Sequence, residues 1–369
     1  MAVERVVLRR LRLPLIRPYR LSYRTFQEFE PYLVEVTDSE GRFGFADAHV
    51  SPGSSSETRE GAWAFAVARI EEMLGRPVEE AKALVLSRFE ESKVAATAIV
   101  SALEVLEHNP QLDIPEDVEL PLLTPVNSTD LAEIPAEIET WLGAGFRTFK
   151  VKVGKDVEAD LARVAAIQRA VEGRATLRLD ANRAYDREQG IAFASRLDPE
   201  GIELFEQPCS SEDWVANAAV AEASVVPLML DEPICTLSDI ERAGTIPNVR
   251  FCKLKLKRFG GLDRLREGLD AVRAHGMEPV LGDGLGSDVH NWLEACVART
   301  TIRNAGEFNG FLKPHERLLR PTMSFERGSI RLPAGYRPEL DTEALQRLTT
   351  EALAFGTTTR ERERTHHGA

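Results

Sequence analysis

The chain has 369 residues, 43% of them hydrophobic, and a formal net charge of −13. That is enough apolar material for one large or two ordinary domains, and the acidic balance argues against a general nucleic-acid or anionic-membrane surface. No apolar run approaches the roughly 18 residues of a membrane span, and MAVERVVLRRLRLPLI alternates like a strand instead of carrying a signal peptide's apolar centre.

The N-terminal run VVLRRLRLPL alternates, and PYLVEVTDSEGRFGFADA reads as a hairpin turning at Asp38-Ser39-Glu40-Gly41. Between them residues 17–31 read as a polar and aromatic loop. HVSPGSSSET is loop chemistry in which Ser56 or Thr58 can cap a helix over 57–74, followed by helices over 77–90 and 93–107. A meander followed by helices makes a small α+β domain, assigned to residues 1–115. The acidic stretch 112–119 reads as a linker.

From there the pattern changes. ELPLLTPVN, FRTFKVKVG, ATLRLDANRAY, IELFEQP, VPLMLDEP, VRFCKLKLKRFGG, MEPVLGDG and IRNAGEFNGF read as eight strands separated by helical stretches, over residues 116–320. Lys152, Asp180, Glu206, Asp231, Lys255, Asp283 and Glu307 end successive strands, 24 to 28 residues apart. That is the pitch of a β/α unit, and a charge at the end of each strand suggests a parallel α/β barrel with functional groups at the C-terminal rim. Residues 321–369 return to the first domain, with MSFERGSIRLPAGYRPELD as a hairpin-like segment. A charged tail from residue 357 includes His366 and His367 and makes a poor metal site. Cys209, Cys235, Cys252 and Cys296 show no paired metal spacing, which fits reduced thiols in a cytoplasm.

Strand parity sorts the charges. Residues i and i+2 share a face, so Lys150 and Lys152 lie together, as do Arg178, Asp180 and Asn182, with Leu177 and Leu179 opposite. Apolar sets face the surrounding helices, so Asp180, Glu206 and Asp231 converge inside the rim. Three carboxylates brought together repel and lose solvation. A divalent cation resolves this, and hard oxygen donors suit Mg2+, with Mn2+ as an alternative. Lysines flank the cluster, Lys152 one strand before it and one of Lys253, Lys255 and Lys257 one strand after. These three share parity, and spacing does not choose among them. Two neighbouring ammonium groups disfavour each other's charge, one way to obtain a lysine base. Metal plus lysine is a combination for removing a proton α to a carboxylate.

The motifs K-x-K (Lys150, Lys152), D-x-N (Asp180, Asn182), E-Q-P (Glu206 to Pro208), D-E-P (Asp231 to Pro233) and K-x-x-[KR]-x-G-G (Lys255, Arg258, Gly260, Gly261) together resemble the enolase superfamily, in its muconate-lactonizing-enzyme subgroup. The resemblance covers nearly the whole chain. It implies a modified TIM barrel, (β/α)7β, with an N-terminal α+β capping domain. It also implies metal ligation by Asp180, Glu206 and Asp231, and Lys152 and Lys255 as bases on opposite substrate faces. Lys150 would tune Lys152 or contact substrate. Lysine bases with Mg2+ are the established design of that superfamily. Asp283 and Glu307 depart from the subgroup's usual motifs; each could receive a cationic substrate group or be a structural acid. Tyr23, Arg24 and His49 are candidate substrate contacts from the capping domain.

The expected activity is therefore α-proton abstraction from a small carboxylate, as racemisation or epimerisation of an amino-acid derivative. Cycloisomerisation or β-elimination is the alternative, and a non-catalytic metal-dependent carboxylate binder is the rival from another class. A homo-oligomer is possible, while nucleic acid and membrane partners are not expected.

Overall fold

The computed structural model describes residues 1–20, 24–52 and 56–356. Tyr23 and the charged tail lie outside the described residues. The hydrophobic runs of the N-terminal third form a four-stranded antiparallel sheet. Its order is Thr349–Gly356, Val3–Leu11, Tyr32–Asp38, Phe43–Ala48. The Asp38 carboxylate closes the hairpin turn by accepting from the backbone N–H groups of Glu40 and Arg42, both at 3.0 Å. Helices Arg59–Met73, Val78–Leu86 and Lys93–Leu106 follow. Thr58 caps the first by accepting from Gly61 N at 3.1 Å. The third helix is buried over almost its whole length against this sheet.

Residues 17–31 differ from the expected loop. Leu13–Arg20 and Thr25–Phe29 pair as an antiparallel ribbon, in which Phe26 and Phe29 are buried. The ribbon reaches the barrel at a bridge between Leu15 and Pro314. A second difference lies near the C-terminus. Ser324–Glu326 and Ser329–Leu332 do form a hairpin, but it pairs with Val118–Pro121 and not with the cap sheet. The returning strand is Thr349–Gly356, which pairs with Val3–Leu11.

Seven parallel strands curl into the barrel: Thr124–Val126, Thr148–Lys152, Thr176–Asp180, Ile202–Glu206, Leu228–Leu230, Val249–Leu254 and Glu278–Leu281. Helices such as Val157–Val171 and Leu262–Ala274 cover the outside and receive the outward-facing Phe149, Val151, Leu177 and Leu179, all fully buried. The expected eighth strand is instead a short bridging segment. Gly306 exchanges backbone bonds with Pro121 and Leu123 on one edge, and Glu307 N donates to Leu281 O at 2.9 Å on the other. The close approach needs glycine at position 282, where φ is 126° and a Cβ would lie 2.4 Å from Phe308 N. No helix among the described residues is long and apolar enough to cross a membrane.

Candidate active site

The inner faces of the strands build the site in two tiers. Lower down, Leu204, Met229 and Val280 pack with Phe251 into a small apolar cluster separate from the main core. Two residues further along the same strands stand Glu206, Asp231, Lys253 and Gly282. The pleat keeps i and i+2 on one face, so the interior turns from apolar to charged within one step of each strand. Arg178 completes the lower tier, fully buried, donating to Glu203 at 2.8 Å and to Ala305 O at 2.9 Å.

Lys150 is the centre of the upper tier. Its Nζ lies 2.8 Å from Asp180, 2.7 Å from Glu206 and 2.9 Å from Glu307. Burial acts to lower its pKa, and these three carboxylates outweigh burial and raise it well above the ordinary value. Lys253 is the second inward cation. It lies 3.1 Å from Glu206 and bonds Glu307. So Lys253 points into the network, Lys255 stands at the rim, and Lys257 leaves the strand's parity because a short helix, Leu256–Phe259, has begun. Lys257 pairs with Asp283.

Two lysines bracket the carboxylates. Lys152, from the second strand, donates to Asp180 Oδ2 and Asn182 Oδ1, each at 2.5 Å. Lys255, from the sixth, donates to Asp231 Oδ2 at 3.0 Å. Arg258 holds the other oxygen of Asp231 at 2.9 Å. Burial, then the neighbouring Arg258, lowers the Lys255 pKa, with Asp231 opposing. Asp180, Asp231 and Glu307 are all depressed: burial alone would raise each, and the surrounding cations win. Glu206 goes the other way, pushed up to about 7 by burial and by Asp180 beside it.

These residues fit a divalent cation in donor chemistry. Asp180, Glu206 and Asp231 offer hard oxygens, all buried, on three adjacent strands. Glu206 Oε2 has no hydrogen-bond partner, although Lys150 Nζ is 2.7 Å away. The Lys150 ammonium stands within 2.9 Å of Asp180, Glu206 and Glu307, as a stand-in cation would. Among the described residues no three acidic, His or Cys side chains are arranged to hold a metal ion directly, and the Lys150 and Lys253 ammonium groups stand between the carboxylates.

The remaining sequence candidates divide. Glu307 lies in the network and Asp283 beside it, and each is already paired with lysine. Arg24 sits over the Phe26 ring at 5.1 Å. His49 is buried against Phe26 and Phe29, with neither ring nitrogen hydrogen-bonded. Burial, then Lys257, pushes its pKa down to about 3. Sequence reasoning missed Tyr19, Lys313 and the inward role of Lys253. The parity of Lys253 with Lys255 was the available signal for the last; nothing local marks the other two.

The family model described as "Enolase C-terminal domain-like" matches residues 133–338. This chain belongs to that family. An o-succinylbenzoate synthase of Geobacillus stearothermophilus is 28% identical, covering 96% of this chain and 97% of its own. Muconate cycloisomerase 1 of Rhodococcus opacus is 29% identical, covering 88% and 92%. The fold matches a solved dipeptide epimerase from Cytophaga hutchinsonii, complexed with Mg and the dipeptide D-Ala-L-Val, with a TM-score of 0.87. That match has 22% identity and covers 96% of this chain and 100% of the other. The resemblance read from the motifs therefore holds, and the chain is an enzyme of the enolase superfamily with the muconate-lactonizing type of fold.

Proposed function

We propose that this enzyme removes the α-proton of a carboxylate substrate and returns it to the opposite face, racemising or epimerising an amino-acid derivative. The observation that carries the reading is the bracketing of Asp180, Glu206 and Asp231 by Lys152 and Lys255, on the second and sixth strands. Asp180, Glu206 and Asp231 would hold Mg2+, or Mn2+, whose charge would stabilise the negative charge that develops on the substrate carboxylate.

The chain's own groups do the proton work. Burial and the neighbouring Arg258 lower the Lys255 pKa, and in its neutral form the Lys255 Nζ accepts the α-proton while the C–H electron pair moves onto the carboxylate. Lys152, held at Nζ by Asn182 and Asp180, delivers a proton to the other face. Reversal exchanges the roles for the opposite enantiomer. Lys150 and Lys253 balance the buried acids and fix their rotamers. Asp283 and Glu307 already have lysine partners, so the preference for an amino-acid derivative now rests on the two-base geometry.

The test uses D2O, wild type, Lys152→Ala and Lys255→Ala. Each variant should lose racemisation by about 100- to 10,000-fold or more. Each should still exchange the α-hydrogen of the one enantiomer that faces its remaining lysine. Full turnover in either variant would overturn the two-base assignment. The o-succinylbenzoate synthase and muconate cycloisomerase relatives favour a second reading, with the same abstraction ending in elimination or ring formation. In that case one lysine is the base and the other only an electrostatic partner, and substrate mass or ring formation would change without inversion. A binder without catalysis would show no deuterium uptake in any variant.

A further inference from the structure

A cap carboxylate closes on the barrel at the turn that carries Lys255. Helix Leu262–Ala274 begins after Gly261, which has no side chain to satisfy the first N–H groups of the helix. Glu104, from the helix Lys93–Leu106 that packs on the cap sheet, satisfies them instead. Its Oε2 accepts from Leu262 N at 2.6 Å and its Oε1 from Asp263 N at 3.2 Å, with the residue only 3% exposed. Asn109, just past the same cap helix, donates from Nδ2 to Asp263 Oδ1 at 2.8 Å. The glycine pair makes room for this approach. A Cβ at position 261 would stand 2.9 Å from both Glu104 oxygens, and one at 260 would stand 2.7 Å from the Phe89 ring.

The other side of the turn meets the site. Arg258 N donates to Lys255 O at 2.9 Å and Gly260 N to Leu256 O at 3.2 Å, so residues 255–260 move as one hydrogen-bonded unit. That unit packs on the helix carrying Glu104 and presents Lys255 and Arg258 to the two oxygens of Asp231. Lys152 is fastened differently, from within the barrel. Arg163, on the helix Val157–Val171, donates to Lys152 O at 2.7 Å, Val126 O at 2.9 Å and Ser128 O at 3.0 Å. Buried N–H groups left without an acceptor are costly, so losing the Glu104 oxygens would drive the turn at Leu262 to shift, and Lys255 with it.

We propose that Glu104 is a positioning residue for proton transfer at Lys255. It acts through the turn and not on the substrate, holding from the cap side the unit on which Lys255 and Arg258 stand against Asp231. This rests on the two-base reading and adds that the cap sets the position of one base and not of the other.

The experiment has two arms, both on the whole Mg2+-loaded protein. The first needs no substrate. Lysines are acetylated with acetic anhydride at a fixed pH, and mass spectrometry compares Lys255 with Lys152. Glu104→Gln keeps the size of the side chain but turns one of its two acceptors into a donor that faces an N–H group. It should raise the labelling of Lys255 several-fold and leave that of Lys152 unchanged. An equal rise at both lysines, or a change at neither, overturns the proposal.

The second arm follows D2O exchange into N-acetyl amino acids of both hands. Glu104→Gln is combined with Lys152→Ala, which leaves Lys255 as the base, and separately with Lys255→Ala, which leaves Lys152. In the first pair kcat for exchange should fall by about 10- to 100-fold, with KM unchanged, the effect of a base misplaced by up to about 1 Å. In the second pair kcat should stay at the value of Lys255→Ala alone. Asn109→Ala loses the bond to Asp263 but leaves Glu104 in place, and so guards against a folding defect at position 104. It should shift the comparison the same way by a smaller factor. Slowing by the same factor with either base overturns the assignment. Absence of exchange with every derivative, in wild type as well, would sink the proton-transfer reading instead, and the labelling arm would still decide Glu104.

Discussion

The two tiers of the barrel interior share strands, face and burial, yet they are built on opposite principles. Leu204, Met229, Phe251 and Val280 need no partners and only shape. Two residues on, Glu206, Asp231 and Lys253 are as buried, and each survives there only by a cation or anion close by. Lys150, Lys253 and Arg178 supply three positive charges against the three negative ones of Asp180, Glu206 and Glu307. The comparison teaches that the upper tier is an electrostatic unit in which no member is separable, whereas the lower tier, Arg178 apart, is a plug whose members contribute by volume.

The sharpest way to break that contrast is Lys253→Met. It keeps length and apolar bulk but strips a charge from Glu206 and Glu307. We expect a loss of about 3–5 kcal/mol in urea unfolding with a chelator present. Pairing it with Glu307→Gln should recover a good part of that loss, because the double variant removes both members. If the two losses simply add, the tier is not coupled. In the plug, Leu204→Ala should cost about 2–5 kcal/mol, and Leu204→Met less than about 1.5 kcal/mol, since volume is all that is asked. A costly Leu204→Met would show that the plug too demands a specific shape.

The tiers also differ in how far they could be read beforehand. Period-2 parity put Lys150, Lys152 and Asp180 on the inner face without any structure, and left Lys253, Lys255 and Lys257 as equal candidates. The spacing of the strand-end charges marked the barrel. Parity failed where the chain stopped being a strand: at Lys257, inside the helix Leu256–Phe259, and at residues 305–307, which close the barrel by backbone bonds and not by a regular strand. Tyr19 and Lys313 could not be found this way. They meet across nearly three hundred residues of chain, and the backbone contacts of Pro14, Leu15 and Ile16 with His315, Pro314 and Lys313 bring them together. Asp283 was readable as a charge but not as the partner of Lys257, since that pairing follows from a loop conformation.

The mildest test concerns a carboxylate that follows neither principle. Glu294, on the helix Asp288–Thr301, is fully buried without a close ammonium. It accepts from Leu256 N at 3.4 Å and Asn291 Nδ2 at 3.2 Å, with His290 Nε2 at 3.8 Å; Asp283 from its loop and Lys257 from the helix Leu256–Phe259 act on it electrostatically. Burial, reinforced by Asp283, pushes its pKa up to about 8 from an ordinary 4.5. Its contribution to stability is therefore whole below about pH 4.5 and is lost as pH rises through about 8. His290, lowered to about 4 by burial, acts with the opposite sign, because the unfolded chain takes up a proton between about 6.5 and 4 that the fold refuses. Glu294→Gln keeps the shape and removes only the first effect. Between pH 5 and 8 the variant's stability should hold steady relative to wild type, whose own falls by up to about 1.4 kcal/mol per pH unit. Parallel pH curves for the two proteins would mean that Glu294 is ionised in the fold. Lys257 would then be neutralising it as the lysines of the mouth neutralise their acids, and the division between paired and unpaired carboxylates would have to be redrawn around Lys257.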